Sequence, residues 1–278
     1  MNKKVIFLDV DGTITNYSNQ IPASTIEAIR QARANGHLVF TVTGRSKAEM
    51  YEEILDIGFD GYIGGNGSYI ELGDQVLFEQ VIDFDDAKAI VDWLHEQGLE
   101  FYLESNSGLY ASENFVERGT PVMIEYTRYK GQENAEQTTV DSAFPDMIYG
   151  ADLYRHDLNK VSFILDSYQN YLDAKEKFSH LKVGTWGGAG EKALFGDIGV
   201  AQIDKAKAID LLLEHLNMKR EDTFAFGDAK IDIPMLAYCA VGVAVDSGGD
   251  EIKAMADYIT DAVDDDGIYN AFKHFGLI

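Results

Sequence analysis

The sequence predicts an α/β protein with a parallel-sheet core and a second α/β domain inserted into it. Three observations lead there. Mostly apolar runs at 5–8, 38–42 and 223–226 each end in polar or acidic residues, the pattern of parallel strands buried on both faces. Amphipathic helical stretches separate the runs, so strand and helix alternate. That rhythm breaks near residue 83, and 278 residues is long for one compact unit. The expected division is a core at 1–82 and 187–278, with the insertion at 83–186.

Each element has a local reason. The strand at 5–8 has no polar residue among its four positions. Ser24 and Glu27 have the spacing of a capping box, with Ile26 and Ile29 inward and Gly36 as the helix stop. After the strand at 38–42, Ser46 and Glu49 form a second capping box, which predicts a helix over 46–56. A third strand is expected near Tyr62, then Asn66-Gly67. A hairpin follows, 68–72 and 76–79, turned at Gly73-Asp74. The insertion reads as helix 84–97, strand 100–104, strand 160–165, helix 168–179 and strand 181–185. Its middle, 105–157, has no clear period. Gly187-Gly188-Ala189-Gly190 is a hinge candidate on the return. Asp204-Lys205 then open a helix with Ala206, Ile209, Leu212, Leu213 and Leu216 on one face.

Chemistry gathers at the strand ends. The first run stops in Asp9-Val10-Asp11-Gly12-Thr13. Two carboxylates at period two share a side of a continuing strand. Their repulsion is relieved by a hard cation such as Mg²⁺, which takes oxygen ligands. A carboxylate so placed can attack phosphorus, and its neighbour can carry a proton; the alternative is an ordinary strand end with two solvated acids. Thr43-Gly44-Arg45 follow the second run and either offer a hydroxyl and a close-approach glycine to an oxyanion or form a plain strand-to-helix turn, the commoner case for such a motif by itself. Gly227-Asp228, with Asp232 four residues on, put carboxylates at a third strand end. Lys205 is poorly placed at a helix start, where the dipole disfavours a cation. Either an anion sits beside it or it is a surface residue.

Composition narrows the class. There are 47 acidic and 23 basic side chains, a formal charge of −24. That argues against nucleic-acid and anionic-membrane partners, which need basic patches. Cys239 is the one cysteine, so no intramolecular disulfide forms, and its apolar surroundings suit a small buried side chain. The six histidines have no zinc spacing. No apolar run reaches the roughly 18 residues of a membrane span, and no signal-like segment opens the chain. A cytoplasmic setting is expected.

In order and spacing, these four strand-end motifs resemble the haloacid dehalogenase-like superfamily. Asp9 to Thr13, Thr43-Gly44-Arg45, Lys205 and Gly227-Asp228 through Asp232 match its first to fourth motifs. The long gap between the second and third is similar to the Cof-type branch, which carries the larger IIB cap there. The resemblance implies a Rossmann-like core with an inserted α/β cap. It implies a Mg²⁺-dependent phosphatase of small phosphorylated metabolites, with Asp9 as nucleophile and Asp11 as acid and base. The metal would be held by Asp9, the main-chain carbonyl of Asp11 and Asp228. Thr43, Gly44 and Lys205 would bind the phosphate, and Asp11 would orient Lys205. Asp232 would support the shell, and Arg45 would either reach the phosphate or pair with a core acid.

Two positions depart from the branch. Ile231 stands where an asparagine is usual, and Val245-Asp246-Ser247-Gly248 replaces a Met-Gly-Asn-Ala segment. Three other readings follow from the same residues: a phosphomutase with the same intermediate, a receiver-type signalling module, and a non-catalytic sugar-phosphate sensor. The receiver is much shorter and lacks the first motif. In the cap, Tyr102, Tyr110, Arg128 and Lys130 are of a type that meets a sugar or aromatic leaving group, although core and surface roles are the simpler expectation. Lys160 reads as a surface residue. The sequence names neither the substrate nor the oligomeric state.

Overall fold

A computed structural model describes residues 2–132, 134–188 and 190–278. Strands β1 (Val5–Leu8), β2 (Leu38–Val42), β3 (Gly61–Gly64), β4 (Tyr69–Leu72) and β5 (Gln75–Glu79) come first. Then come β6 (Phe101–Ser105), β7 (Gly108–Ala111), β8 (Met147–Tyr149), β9 (Leu158–Ile164), β10 (Lys182–Trp186) and β11 (Phe195–Gly199). The chain closes with β12 (Thr223–Gly227), β13 (Val241–Val245) and β14 (Tyr258–Thr260).

The strands form two sheets in two compact units. The first unit comprises residues 1–44, 51–79 and 203–278. Its eight-stranded sheet runs β14-β13-β12-β1-β2-β3-β4-β5. The six strands from β14 to β3 pair in parallel, and the hairpin β4–β5 adds an antiparallel edge. Every residue of β1 is fully buried, as an unbroken apolar run at the centre of a parallel sheet requires. The core beneath one face joins Val5, Phe7, Phe40 and Val42 to Ile209, Leu212 and Leu213 of the helix Lys205–Leu216.

The second unit comprises 45–50 and 80–202. Its sheet runs β10-β11-β9-β6-β7-β8 and is antiparallel except at β7–β8. Helix Phe84–Gln97 has the bounds expected from its pattern, with Asp83 capping the amide of Asp85 and Gly98 in the left-handed region at its end. The stretch without a clear period holds β7, β8, the helix Phe115–Tyr129 and the short helix Val140–Ala143. Pro121 inside the longer helix breaks the pattern a sequence reading relies on.

Three expectations change. The insertion does not end at residue 186. Strand β11 lies between β10 and β9 in the second sheet, and the first unit resumes at Ile203. Of the proposed hinge, Ala189 lies outside the described residues. No long helix covers 46–56. Ser46 and Glu49 do form their capping box, but on a 3₁₀ turn, Lys47–Glu49, and Met50 leaves helical geometry before a short helix Glu52–Leu55. The first helix begins at Ala23, after Pro22, so Ser24 sits inside its first turn and does not cap it.

Candidate active site

Register brings the chemistry together. Leu8 pairs with Phe226 on one side and Thr41 on the other, so β12, β1 and β2 end level with one another. The amide of Asp9 continues the ladder by donating to the carbonyl of Phe226 at 3.0 Å. Asp9, Thr43 and Asp228 therefore emerge side by side at the carboxyl edge of the sheet, where open α/β sheets bind ligands.

Asp9 is 6% exposed, and Asp228 and Asp232 are buried more deeply still. One carboxylate oxygen from each of the three lies within 4.8 Å of the others. Asp11 is exposed and is not a member of that trio. Lys205 is 1% exposed, so it is no surface residue. Its Nζ donates to Asp9 Oδ1 at 2.6 Å and to Asp232 Oδ1 at 2.5 Å. The expected orienting partner was Asp11, but the structure gives that place to Asp9 and Asp232. The cation that the helix dipole disfavours is held there by two carboxylates, a stronger interaction at this range. Asp232 also accepts from the amides of Asp228 and Ala229 through Oδ2, at 3.3 and 3.1 Å.

The electrostatics follow from crowding. Burial, then Asp232, raise the affinity of Asp9 for a proton well above the carboxylate norm; Lys205 opposes this, and Asp228 and Asp11 add to it. For Lys205, burial works to discharge the ammonium, and is outweighed by Asp232 and Asp9, so the lysine stays charged. One ammonium does not neutralise three neighbouring carboxylates, and the donor set is oxygen only. That combination fits a hard divalent cation such as Mg²⁺.

Two further side chains bond Asp228; the sequence assigns Thr13 no role of its own and does not single out Tyr17. Thr13 Oγ1 donates to its Oδ1 at 3.4 Å, and the Tyr17 hydroxyl donates to its Oδ2. Nothing in the residues around Tyr17 signals that contact. Gly12 has φ +91°, and a Cβ there would fall 2.4 Å from Asp228 Oδ2, so the turn after β1 admits only glycine.

Thr43 is buried, and its carbonyl accepts from the amide of Asn66 at 3.0 Å. What Gly44 closely approaches is the Asn66 side chain: a Cβ on Gly44 would stand 3.1 Å from Asn66 Oδ1. Arg45 Nη1 donates to the carbonyl of Glu49 at 3.0 Å, within its own turn. Ile231 is 45% exposed. In the second unit, Lys160 corrects its surface reading: its Nζ lies 3.0 Å from Glu104 Oε2, and Glu104 is 1% exposed. Tyr102 packs on Phe115 and Phe144, and the Arg155 guanidinium stacks 3.7 Å from the centre of the Tyr110 ring. Arg128 pairs with Glu136, and Lys130 Nζ lies 5.6 Å from the Tyr126 ring. These are packing and surface interactions.

Comparison with known proteins agrees with this geometry. The family described as haloacid dehalogenase-like hydrolase matches residues 6–272. YkrA of Bacillus subtilis is 26% identical over 280 residues, covering all of both chains. The B. subtilis phosphatase YwpJ is 24% identical, covering 98% of this chain and 99% of its own. Among solved structures, the phosphatase BT1666 from Bacteroides thetaiotaomicron superposes with a TM-score of 0.80 at 27% identity, over 99% of this chain and 96% of its own. The subclass IIB sugar phosphatase BT4131 gives a TM-score of 0.77 at 27% identity, over 99% and 100%. With the match spanning nearly the whole chain, the two sheets in place and the motif residues gathered at one sheet edge, the chain belongs to the haloacid dehalogenase-like hydrolases.

Proposed function

We propose that the chain is a Mg²⁺-dependent phosphatase of small phosphate monoesters, sugar phosphates or similar metabolites, acting through an aspartyl-phosphate on Asp9. The observation that carries this is the buried Asp9–Lys205–Asp232 bridge beside Asp228, at the end of the central strand.

Asp9, Asp228 and the main-chain carbonyl of Asp11 would hold the cation, with Asp232 behind them. When bound, Mg²⁺ supplies positive charge to the carboxylates and to the transferring phosphoryl group. Asp9 attacks phosphorus in line as the bond from phosphorus to the ester oxygen breaks. Asp11, exposed at the turn after β1, gives its proton to the departing alkoxide. It then takes a proton from water, whose oxygen displaces phosphate from Asp9 and restores the carboxylate. Thr43, the Gly44 amide and Lys205 bind the phosphoryl oxygens, since this chemistry rests on positioning and charge stabilisation. Asp232 fixes the ammonium of Lys205. Arg45 serves its own turn in this account.

The second unit is proposed as the cap that selects the leaving group. The substrate class draws support from BT4131, which is described as a sugar phosphatase. Among the described residues no helix is long and apolar enough to cross a membrane, and the proposed setting remains the cytoplasm. A panel of small phosphate esters with Mg²⁺, read by free phosphate, tests the proposal. Phosphate release from at least one sugar phosphate is expected. Transfer between sugar positions without free phosphate would make the chain a mutase. Binding without either reaction would make it a sensor.

A further inference from the structure

We propose that the side-chain amide of Asn66 binds the phosphoryl group, donating from Nδ2 to a phosphate oxygen beside Thr43 and Gly44. The inference rests on the phosphate-binding role proposed for Thr43, Gly44 and Lys205.

Asn66 lies between both halves of that site. Its amide nitrogen donates to the carbonyl of Thr43 at 3.0 Å. Its side chain lies against Gly44, which has no Cβ to obstruct it. On its other side, a Cβ on Gly67 would fall 2.4 Å from the carbonyl of Asp204, the residue before Lys205. The turn Gly65–Gly67 is thus wedged between the end of β2 and the start of the Lys205 helix.

The residue is held in an unfavourable state in two respects. Its φ is +55°, a region that non-glycine residues rarely occupy. Its Oδ1 is buried with no hydrogen-bond partner, which native structures usually avoid. Nδ2, the other end of the amide, is not sealed in this way. Strain of this kind collects where a group is being presented to a ligand. A phosphate dianion offers only acceptors, so an amide N–H is the matching group. The usual asparagine of the fourth motif is Ile231 here, and an isoleucine side chain donates nothing. Asn66 supplies a side-chain amide from a different strand end.

Calorimetric binding of inorganic phosphate to the full chain, with Mg²⁺ present, tests this directly. Asn66→Gly keeps the positive φ and removes the amide. Asn66→Asp keeps the shape and the tolerance of positive φ, and replaces the donor with a charged acceptor. Circular dichroism melts check that both variants fold. Asn66→Gly is expected to weaken phosphate binding about tenfold or more, the loss of one hydrogen bond to a charged group. Asn66→Asp is expected to be weaker still. Wild-type affinity in Asn66→Gly overturns the inference. So does an Asn66→Asp variant that binds no worse than Asn66→Gly, because a role in turn shape alone would spare it. The readout is binding, so a protein that binds phosphate through Asn66 yet releases none from any ester refutes the phosphatase reading and leaves this one standing.

Discussion

Lys205 Nζ lies 2.6 Å from Asp9 Oδ1, tying the first turn of a helix to the end of the central strand across 196 residues of sequence. Both groups are buried, and each depends on the other for its charge. Asp232, on the far side of the same ammonium, makes the lysine the shared cation of two acids.

Lys205→Met should therefore cost stability as well as activity. Removing one partner of a buried ion pair leaves uncompensated charge and costs about 3–5 kcal/mol. Urea unfolding should show a loss of that order, and phosphate release should fall below a hundredth of wild type. Mg²⁺ should return part of the lost stability, since a cation that binds only the folded state stabilises it by mass action.

Tyr17→Phe removes the hydroxyl that donates to Asp228 Oδ2 and keeps the ring. If that hydroxyl orients the carboxylate for the cation, Mg²⁺ affinity should weaken by about tenfold or more, as loss of a metal ligand's hydrogen-bond partner typically does. Titration calorimetry with Mg²⁺ measures this. An unchanged dissociation constant would assign Tyr17 no part in the site.

Gly12→Ala puts a methyl group onto Asp228 and forces alanine to φ +91°. A loss above about 2 kcal/mol in folding stability is expected, together with weaker Mg²⁺ binding. Chemical unfolding with and without Mg²⁺ reads both effects.

Glu49 gives a pH dependence in the second unit. Burial, then Glu104, push its carboxyl up to about 7, against the opposing pull of Lys160, the Ser46 amide and Arg45. The folded protein then holds a proton between about pH 4.5 and 7 that the unfolded chain releases. Stability from this group is full below about pH 4.5 and is lost as pH rises through 7. Glu49→Gln should flatten that slope, by on the order of 2 kcal/mol across the window. Urea midpoints of both proteins at pH 5 and pH 8 provide the comparison. Equal slopes would contradict the assignment.

The strand-end chemistry was legible because it sits on short apolar runs that end abruptly. Asp9, Thr43 and Asp228 each follow such a run, and parallel pairing then brings them level. Helix 84–97 was legible from a regular apolar face between a capping Asp83 and Gly98. Strand β11 was not, because its sequence is Phe-Gly-Asp-Ile-Gly. Its Gly196 is required by packing: a Cβ there would fall 2.3 Å from the Phe163 ring. Glycine dictated by a neighbouring strand reads in the sequence as a linker. The burial of Lys205, and the pairing of Lys160 with a buried acid, were hidden for a related reason. Each is charged, and its partner lies tens of residues away or more, outside any local pattern. Tyr17 and Asn66 were passed over because one carries no motif and the other reads as an ordinary turn.

Turnover by Asp9→Asn, measured as phosphate release with Mg²⁺ on an ester the wild-type enzyme hydrolyses, tests the central claim most directly. The amide is nearly isosteric with the carboxylate and is a poor nucleophile. The account predicts a fall of at least about a thousandfold in a protein that remains folded, and a phosphoryl group on Asp9 in rapidly quenched wild type that is absent from the variant. Near-normal turnover in a clean Asp9→Asn preparation would contradict it.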